Sequence, residues 1–173
     1  MRTRQMCRVF LSATVAVTTL HPSVLATKAQ GYKSTLIARG RLGKIDPPNF
    51  LLHSQRDEEI EQLWRSTQKT EGLSDIYVQS NVWAPGGSTG WHSHPGPSLI
   101  IVTAGTVTNY EGLDPACKPH VYKSGMTIVD AGGDHIHILR NEGAVEAKTI
   151  AVQFIPANAA RRIDVADPGN CHF

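Results

Sequence analysis

The chain has 173 residues, 40% of them hydrophobic and 18% charged, which suits one domain with a buried core and excludes a disordered polymer. The formal net charge is +2, but Arg2, Arg4 and Arg8 all fall in the first eight residues; without them fourteen basic side chains face fifteen acidic ones. No basic surface for nucleic acid is expected, and no window of about 20 apolar residues is present to form a spanning helix.

Residues 1–26 read as a secretory signal peptide. Met1 to Arg8 forms a basic start, and Val9 to Leu20 forms an uncharged apolar stretch. Pro22 ends it, and Val24-Leu25-Ala26 offers small residues for cleavage after Ala26, with Ala29 as the alternative site. The competing reading is an uncleaved anchor, which the Ser and Thr residues of the apolar stretch (Ser12, Thr14, Thr18 and Thr19) disfavour. Export would place the mature protein in the periplasm or outside the cell, free of the membrane. It would also remove Cys7, leaving Cys117 and Cys171, which in an oxidising compartment are read as one disulfide. Two separate buried thiols are the alternative.

Residues 27–72 form an N-terminal arm and a helix. The arm, 27–52, mixes Gly, Pro and short apolar runs and is expected to wrap the domain or add one or two edge strands. A helix is predicted over 54–70, capped by Ser54 and with Asp57, Glu58 and Glu59 loading its first turn. Ile60, Leu63, Trp64 and Thr67 share one face, and Gly72 closes it.

From residue 73 to 173 the pattern changes to short strands between turn residues. Strands are predicted at 74–83, 90–94, 98–103, 106–111, 119–123, 126–129, 135–140 and 146–155. The turns include Pro85-Gly86-Gly87, Pro95-Gly96-Pro97 and Ala131-Gly132-Gly133. Such regular short strands indicate an all-β antiparallel sandwich or barrel. No helices alternate with them, which excludes a parallel α/β sheet.

His92 and His94 flank Ser93, so on a strand both imidazoles project from one face; His135 and His137 repeat the pattern. Two such pairs in one barrel can surround a divalent transition metal (Fe, Zn, Mn, Cu or Ni) with neutral nitrogen donors, whereas Ca and Mg prefer oxygen.

At these residues the sequence resembles the cupin superfamily. Gly86, five residues, His92-Ser93-His94, three residues, Ser98, six residues and Gly105 reproduce the first cupin motif in spacing, with Ser98 where the family usually has Glu. The second motif is matched by Gly125 and by His137 with Asn141 beyond it; Ala131 replaces the usual Pro, and the loop is one residue longer. The resemblance covers residues 74–155. It implies a jelly-roll β-barrel with His92, His94 and His137 as metal ligands. His135 is then a fourth ligand or a partner of one, and Ser98 is a weak substitute for the carboxylate. Three neutral imidazoles leave the ion's double charge in place and favour an anionic chelating substrate. Cupin-like dioxygenases with three-histidine iron sites make dioxygenase chemistry on a small organic molecule the first functional expectation; a non-catalytic pocket for a small molecule or metal is the alternative. Cupins also pair through sheet edges, so a homodimer is possible with the arm at the contact.

Glu111, Tyr110 and Tyr77 are candidate acid–base groups that the sequence does not place. Trp91 alternates with His92 and is expected to face away from the metal, on the outside of its strand. The Gly86–Gly90 stretch lacks the Lys-Ser/Thr of a phosphate loop. Arg161-Arg162 is read as a solvated pair, and His53 and His120 as isolated, exposed histidines.

Overall fold

The computed structural model of the chain describes residues 25–44 and 69–173. The predicted helix at 54–70 lies outside these residues except for its last two positions, which are not helical, and so does His53. All described regular structure is β. The strands are β1 (Gln30–Leu42), β2 (Ser74–Ser88), β3 (His92–Ser93), β4 (Ser98–Ala104), β5 (Thr106–Glu111), β6 (His120–Lys123), β7 (Thr127–Asp130), β8 (His137–Arg140), β9 (Ala147–Pro156) and β10 (Ile163–Asp164). No described helix is long and apolar enough to cross a membrane.

The strands pair antiparallel throughout. One half of the fold runs β1-β2-β9-β4-β7, the other β10-β3-β8-β5-β6, and a single pair, Ser88 with Arg140, joins β2 to β8. This is a jelly-roll barrel, nearly closed; its all-β class is the one expected from the turn spacing, and the cupin-type barrel is the one the resemblance implied. β1, in the stretch read as an arm, runs along the free edge of β2 over almost its full length. Asp75 anchors it: Arg39 and Arg41 both reach its buried carboxylate at 2.8 Å. The Arg41 guanidinium, with further hydrogen bonds from the Asn158 amide and Arg39, holds the Asp75 carboxyl far below the usual range.

The barrel interior is divided along its length. Trp83, Ile100, Val107, Ile128, Leu139, Ala147 and Ala151 pack together as an apolar core. Among and beside them, inward positions of β2 and β9 are polar: Gln79 and Asn81 on one, Thr149 and Gln153 on the other, all buried. The outward positions run the other way. Val78, Val152, Leu99 and Val129 lie in one cross-strand row, and Leu99 and Val129 are half or more exposed.

A second apolar cluster lies outside the barrel wall. Trp91, Tyr110 and Ile138 are buried there against Cys171, which is bonded to Cys117 with their Cα atoms 5.3 Å apart. Trp91 faces away from the cavity and packs on the outer side of its strand, as expected; the disulfide-tied tail covers it there, and only 1% of it is exposed. The segment before β1 is fixed at the same place, with Thr27 N donating to the Val165 carbonyl and the Trp91 amide donating to Thr27 Oγ1.

Candidate metal centre

Two Gly-containing turns set the position of the histidines. The 95–97 turn follows His94 and the 131–133 turn precedes His137, and they touch at Gly96 and Gly132. A Cβ on Gly132 would lie 2.3 Å from the Gly96 carbonyl carbon, and Gly132 has φ +71°. Only glycine combines that backbone conformation with so close an approach. The short β3 then pairs His92 directly opposite His137 on β8.

His92, His94 and His137 meet at the polar end of the barrel. Their ring centroids are 4.4 Å (92–137), 4.9 Å (92–94) and 5.6 Å (94–137) apart. One ligand atom from each lies within 4.8 Å of the others, so the three can hold a metal ion. All three are buried.

The hydrogen bonds orient the rings. Nδ1 of His92 lies 2.9 Å from the Gly90 carbonyl, that of His94 2.6 Å from the Arg161 carbonyl, and that of His137 3.3 Å from the His135 carbonyl. A carbonyl only accepts, so each Nδ1 carries the proton and each Nε2 keeps its lone pair. Gln153 Nε2 also stands 3.2 Å from His94 Nδ1, but the shorter contact to the Arg161 carbonyl decides the tautomer. A backbone carbonyl behind each imidazole is the arrangement that orients metal-binding histidines.

Burial also keeps the rings neutral. His92 is pushed well below its ordinary 6.5 by burial and then by the neighbouring His137. His94 is lowered by burial, against the opposing hydrogen bond to the Arg161 carbonyl and the charge of Asp130. His137 falls to about 4, again chiefly through burial. Neutral imidazole is the metal-binding form, so the protein holds all three ready for an ion.

The cavity beside them has a volume of about 40 Å³. Tyr32, Gln79, Asn81, Ser98, Gln153 and Arg162 contribute to its polar wall. Ser98 points inward, is 1% exposed, and its Oγ has no hydrogen-bond partner. Tyr32 reaches in from β1, its hydroxyl donating to Asn81 Oδ1 at 2.9 Å.

His135 lies two residues before β8, not within it. Its Nε2 is 2.5 Å from Glu111 Oε2 and its Nδ1 is 3.1 Å from Asp130 Oδ1, so both ring nitrogens face carboxylates. Asp130, His135 and His137 form a second group of potential donors. Of the acid–base candidates, Glu111 binds His135, Tyr110 donates to Glu142, and Tyr77 lies beneath the Arg161 guanidinium; none of them lines the cavity.

Arg161 and Arg162 are not a solvated pair. Arg161 stacks on Tyr77 at 4.6 Å and donates to the amide oxygens of Gln79 and Gln153. Arg162 lines the cavity, donating to the Thr89 carbonyl and pairing with Asp164. β10 places them there by pairing Asp164 with His92. His120, on β6, is partly buried rather than exposed. Asp130, Gln79 and Gln153 are not legible alike: Asp130 shares the inner face of β7 with Ile128, a usable signal, whereas on β2 and β9 the more apolar face points outward.

The cavity and its histidines therefore belong to a cupin-type barrel. No protein-family model and no curated protein sequence matches the chain. Solved structures similar to it include an oxalate oxidase, at 26% identity over 52% of this chain and 46% of that one, with a TM-score of 0.43. A cupin-like protein from Thermotoga maritima is 23% identical over 53% and 65%, with a TM-score of 0.44. The DMSP lyase DddQ from Ruegeria pomeroyi is 15% identical over 54% and 45%, with a TM-score of 0.46. The chain spans about half the length of the oxalate oxidase it matches.

Proposed function

We propose that this chain is an exported, transition-metal-binding cupin whose cavity takes a small anionic molecule, and that its chemistry is oxidation of the dioxygenase type. The observation that carries the reading is the set of three buried imidazoles, each donating Nδ1–H to a backbone carbonyl and keeping Nε2 free. His92, His94 and His137 would hold the ion, which when bound supplies Lewis acidity and a redox centre. The chain's own residues do the rest. Arg162 offers the charge that an anionic ligand needs, while Gln79, Asn81 and Gln153 offer amide groups to orient it. The small cavity favours a ligand of few heavy atoms.

A second reading, in which the cavity holds its ligand without transforming it, is favoured by one feature: no carboxylate lines the cavity to move a proton. Metal analysis of protein purified without an affinity tag tests the common premise, and about one equivalent of a transition metal is expected. Oxygen uptake by the metal-loaded protein with a panel of thiols, diketones and small carboxylic acids then decides between the readings. Uptake with one class supports the oxygenase. Ligand binding without uptake supports the second reading and overturns the first.

A further inference from the structure

Resting on the reading of the cavity as a site for a small anion, we infer that Trp83 determines which ligand it takes. The indole N–H donates to a ligand oxygen, in a wall whose amides Arg161 turns donor side inward, so that the cavity accepts a small carboxylate and rejects the corresponding amide.

Trp83 is an inward residue of β2, lines the cavity and is 2% exposed. Its Nε1 is buried without a hydrogen-bond partner. An indole nitrogen can only donate, and a buried donor left unpaired is costly. Ile100, Leu139 and Ala151, which belong to the same apolar cluster and border the same cavity, have no side-chain acceptor to offer. Tyr32 packs against the indole with ring centroids 5.0 Å apart, and its hydroxyl is engaged with Asn81 Oδ1. A ligand oxygen in the cavity is the partner that these neighbours do not supply.

The rest of the wall has the same polarity. A guanidinium only donates, and Arg161 gives its hydrogens to Gln79 Oε1 and to Gln153 Oε1, the latter at 3.1 and 3.3 Å. Each amide is thereby fixed with its oxygen toward Arg161. Gln79 Nε2 passes one hydrogen to Asn81 Oδ1 at 3.0 Å, and Asn81 Nδ2 passes one to Thr149 Oγ1 at 3.1 Å. Each of these nitrogens keeps a second hydrogen with no acceptor among the described residues. Gln153 Nε2 stands 3.2 Å from a His94 Nδ1 that already carries a proton for the Arg161 carbonyl, so its hydrogens are uncommitted too. All three amide oxygens are taken, and no carboxylate lines the cavity. Apart from hydroxyls, which turn either way, and the histidine Nε2 atoms reserved for the ion, the wall can only give hydrogen bonds. A carboxylate meets it with acceptors alone. A carboxamide of the same shape brings an NH2 that finds no oxygen, and burying that group unpaired is what rejects it. Arg161 does not line the cavity; it acts through the two glutamines and is a positioning residue.

The test is nuclear magnetic resonance of ¹⁵N-labelled, Zn²⁺-loaded protein titrated separately with acetate, formate and acetamide. Trp64, Trp83 and Trp91 are the tryptophans of the chain, and their indole signals are assigned by triple resonance. Acetate should move the Trp83 indole proton downfield in a saturable way and leave that of Trp91, on the outer side of the wall, in place. Acetamide should bind at least about tenfold more weakly, and Trp83→Phe, which keeps a ring and removes the donor, should raise the acetate Kd by about tenfold to a hundredfold. Arg161→Met should lower the side-chain amide order parameters of Gln79 and Gln153, and Arg161→Lys should recover them; unchanged values overturn the positioning role. Acetate that binds without moving the Trp83 signal overturns this inference alone, since the N–H is then satisfied by a fixed water or not at all, and so does acetamide that binds as tightly as acetate. If neither acetate nor formate binds, the anion reading of the cavity falls and this inference falls with it. Should Trp83→Phe fail to fold, the indole shift in the wild type decides.

Discussion

Ser98 and Asp130 face each other across β4 and β7, and each buries an oxygen that has no hydrogen-bond partner. Two adjacent unsatisfied polar atoms in a closed barrel are uncommon. They lie at the same end of the barrel as three neutral imidazoles that could hold a metal ion.

The histidine set predicts the thermodynamic signature of binding. With metal at about a hundredfold over its dissociation constant, the protein should gain roughly 2.7 kcal/mol of stability. His94→Ala should abolish the gain, while His120→Ala, on β6, should retain it. Melting curves of metal-free and metal-loaded protein at neutral pH check this; equal melting of the two forms in wild type removes the site.

The buried imidazoles also set a pH dependence for the metal-free protein. Their folded-state pKa values lie below the unfolded value of 6.5, with His137 at about 4. As pH falls from about 6.5 to 4, the unfolded chain binds protons that the folded one does not, so stability declines across that window and levels off beneath it. Urea unfolding between pH 7.5 and 4 measures it. The same depression lets the folded protein retain metal below pH 6.5, where free imidazoles would already have released it.

Much of this was legible in the sequence because turn residues and His-x-His spacing are local signals. The strand positions from β3 to β9 follow the Gly- and Pro-rich turns closely, whereas β2 runs on to Ser88 through Pro85-Gly86-Gly87, which was expected to be a turn; His92, His94 and His137 do come together. What escaped was chemistry set by pairing across long separations. Asp130 gains meaning only beside Ser98, and Arg162 only once β10 is laid along β3. β2 misleads in a different way. Its inward residues are Asp75, Tyr77, Gln79 and Asn81 while Ile76, Val78 and Val82 point outward, so a hydrophobic-in reading of the alternation inverts the barrel wall there.

Arg162 should govern anion affinity and leave metal affinity alone. In Co²⁺-loaded protein, small anions such as azide or acetate should perturb the visible spectrum. Arg162→Gln should raise their dissociation constants by about tenfold or more, the worth of one charged hydrogen bond. Unchanged anion binding in the variant would remove Arg162 from the ligand site.

The disulfide should be a substantial part of the stability. A loop with a sequence separation of 54 residues contributes about 4 kcal/mol in the chain-entropy description. Cys117→Ser should lower the melting temperature accordingly and expose Trp91, which the tail covers. Trp fluorescence, red-shifted in the variant or in reduced wild type, reports it; an unshifted spectrum means that the tail holds its place without the bond.

The pairing of β10 with β3 gives the site an order of assembly. The carbonyl that fixes the His94 tautomer belongs to Arg161, and the cationic wall belongs to Arg162. Both follow β9, the last strand of the opposite sheet. During synthesis all three histidines emerge well before the residues that lock and charge their surroundings. A nascent chain stopped at Pro156 would already carry the full imidazole set with His94 free to take either tautomer. Selection of the Nδ1-protonated form of His94 is thus deferred to the closing segment.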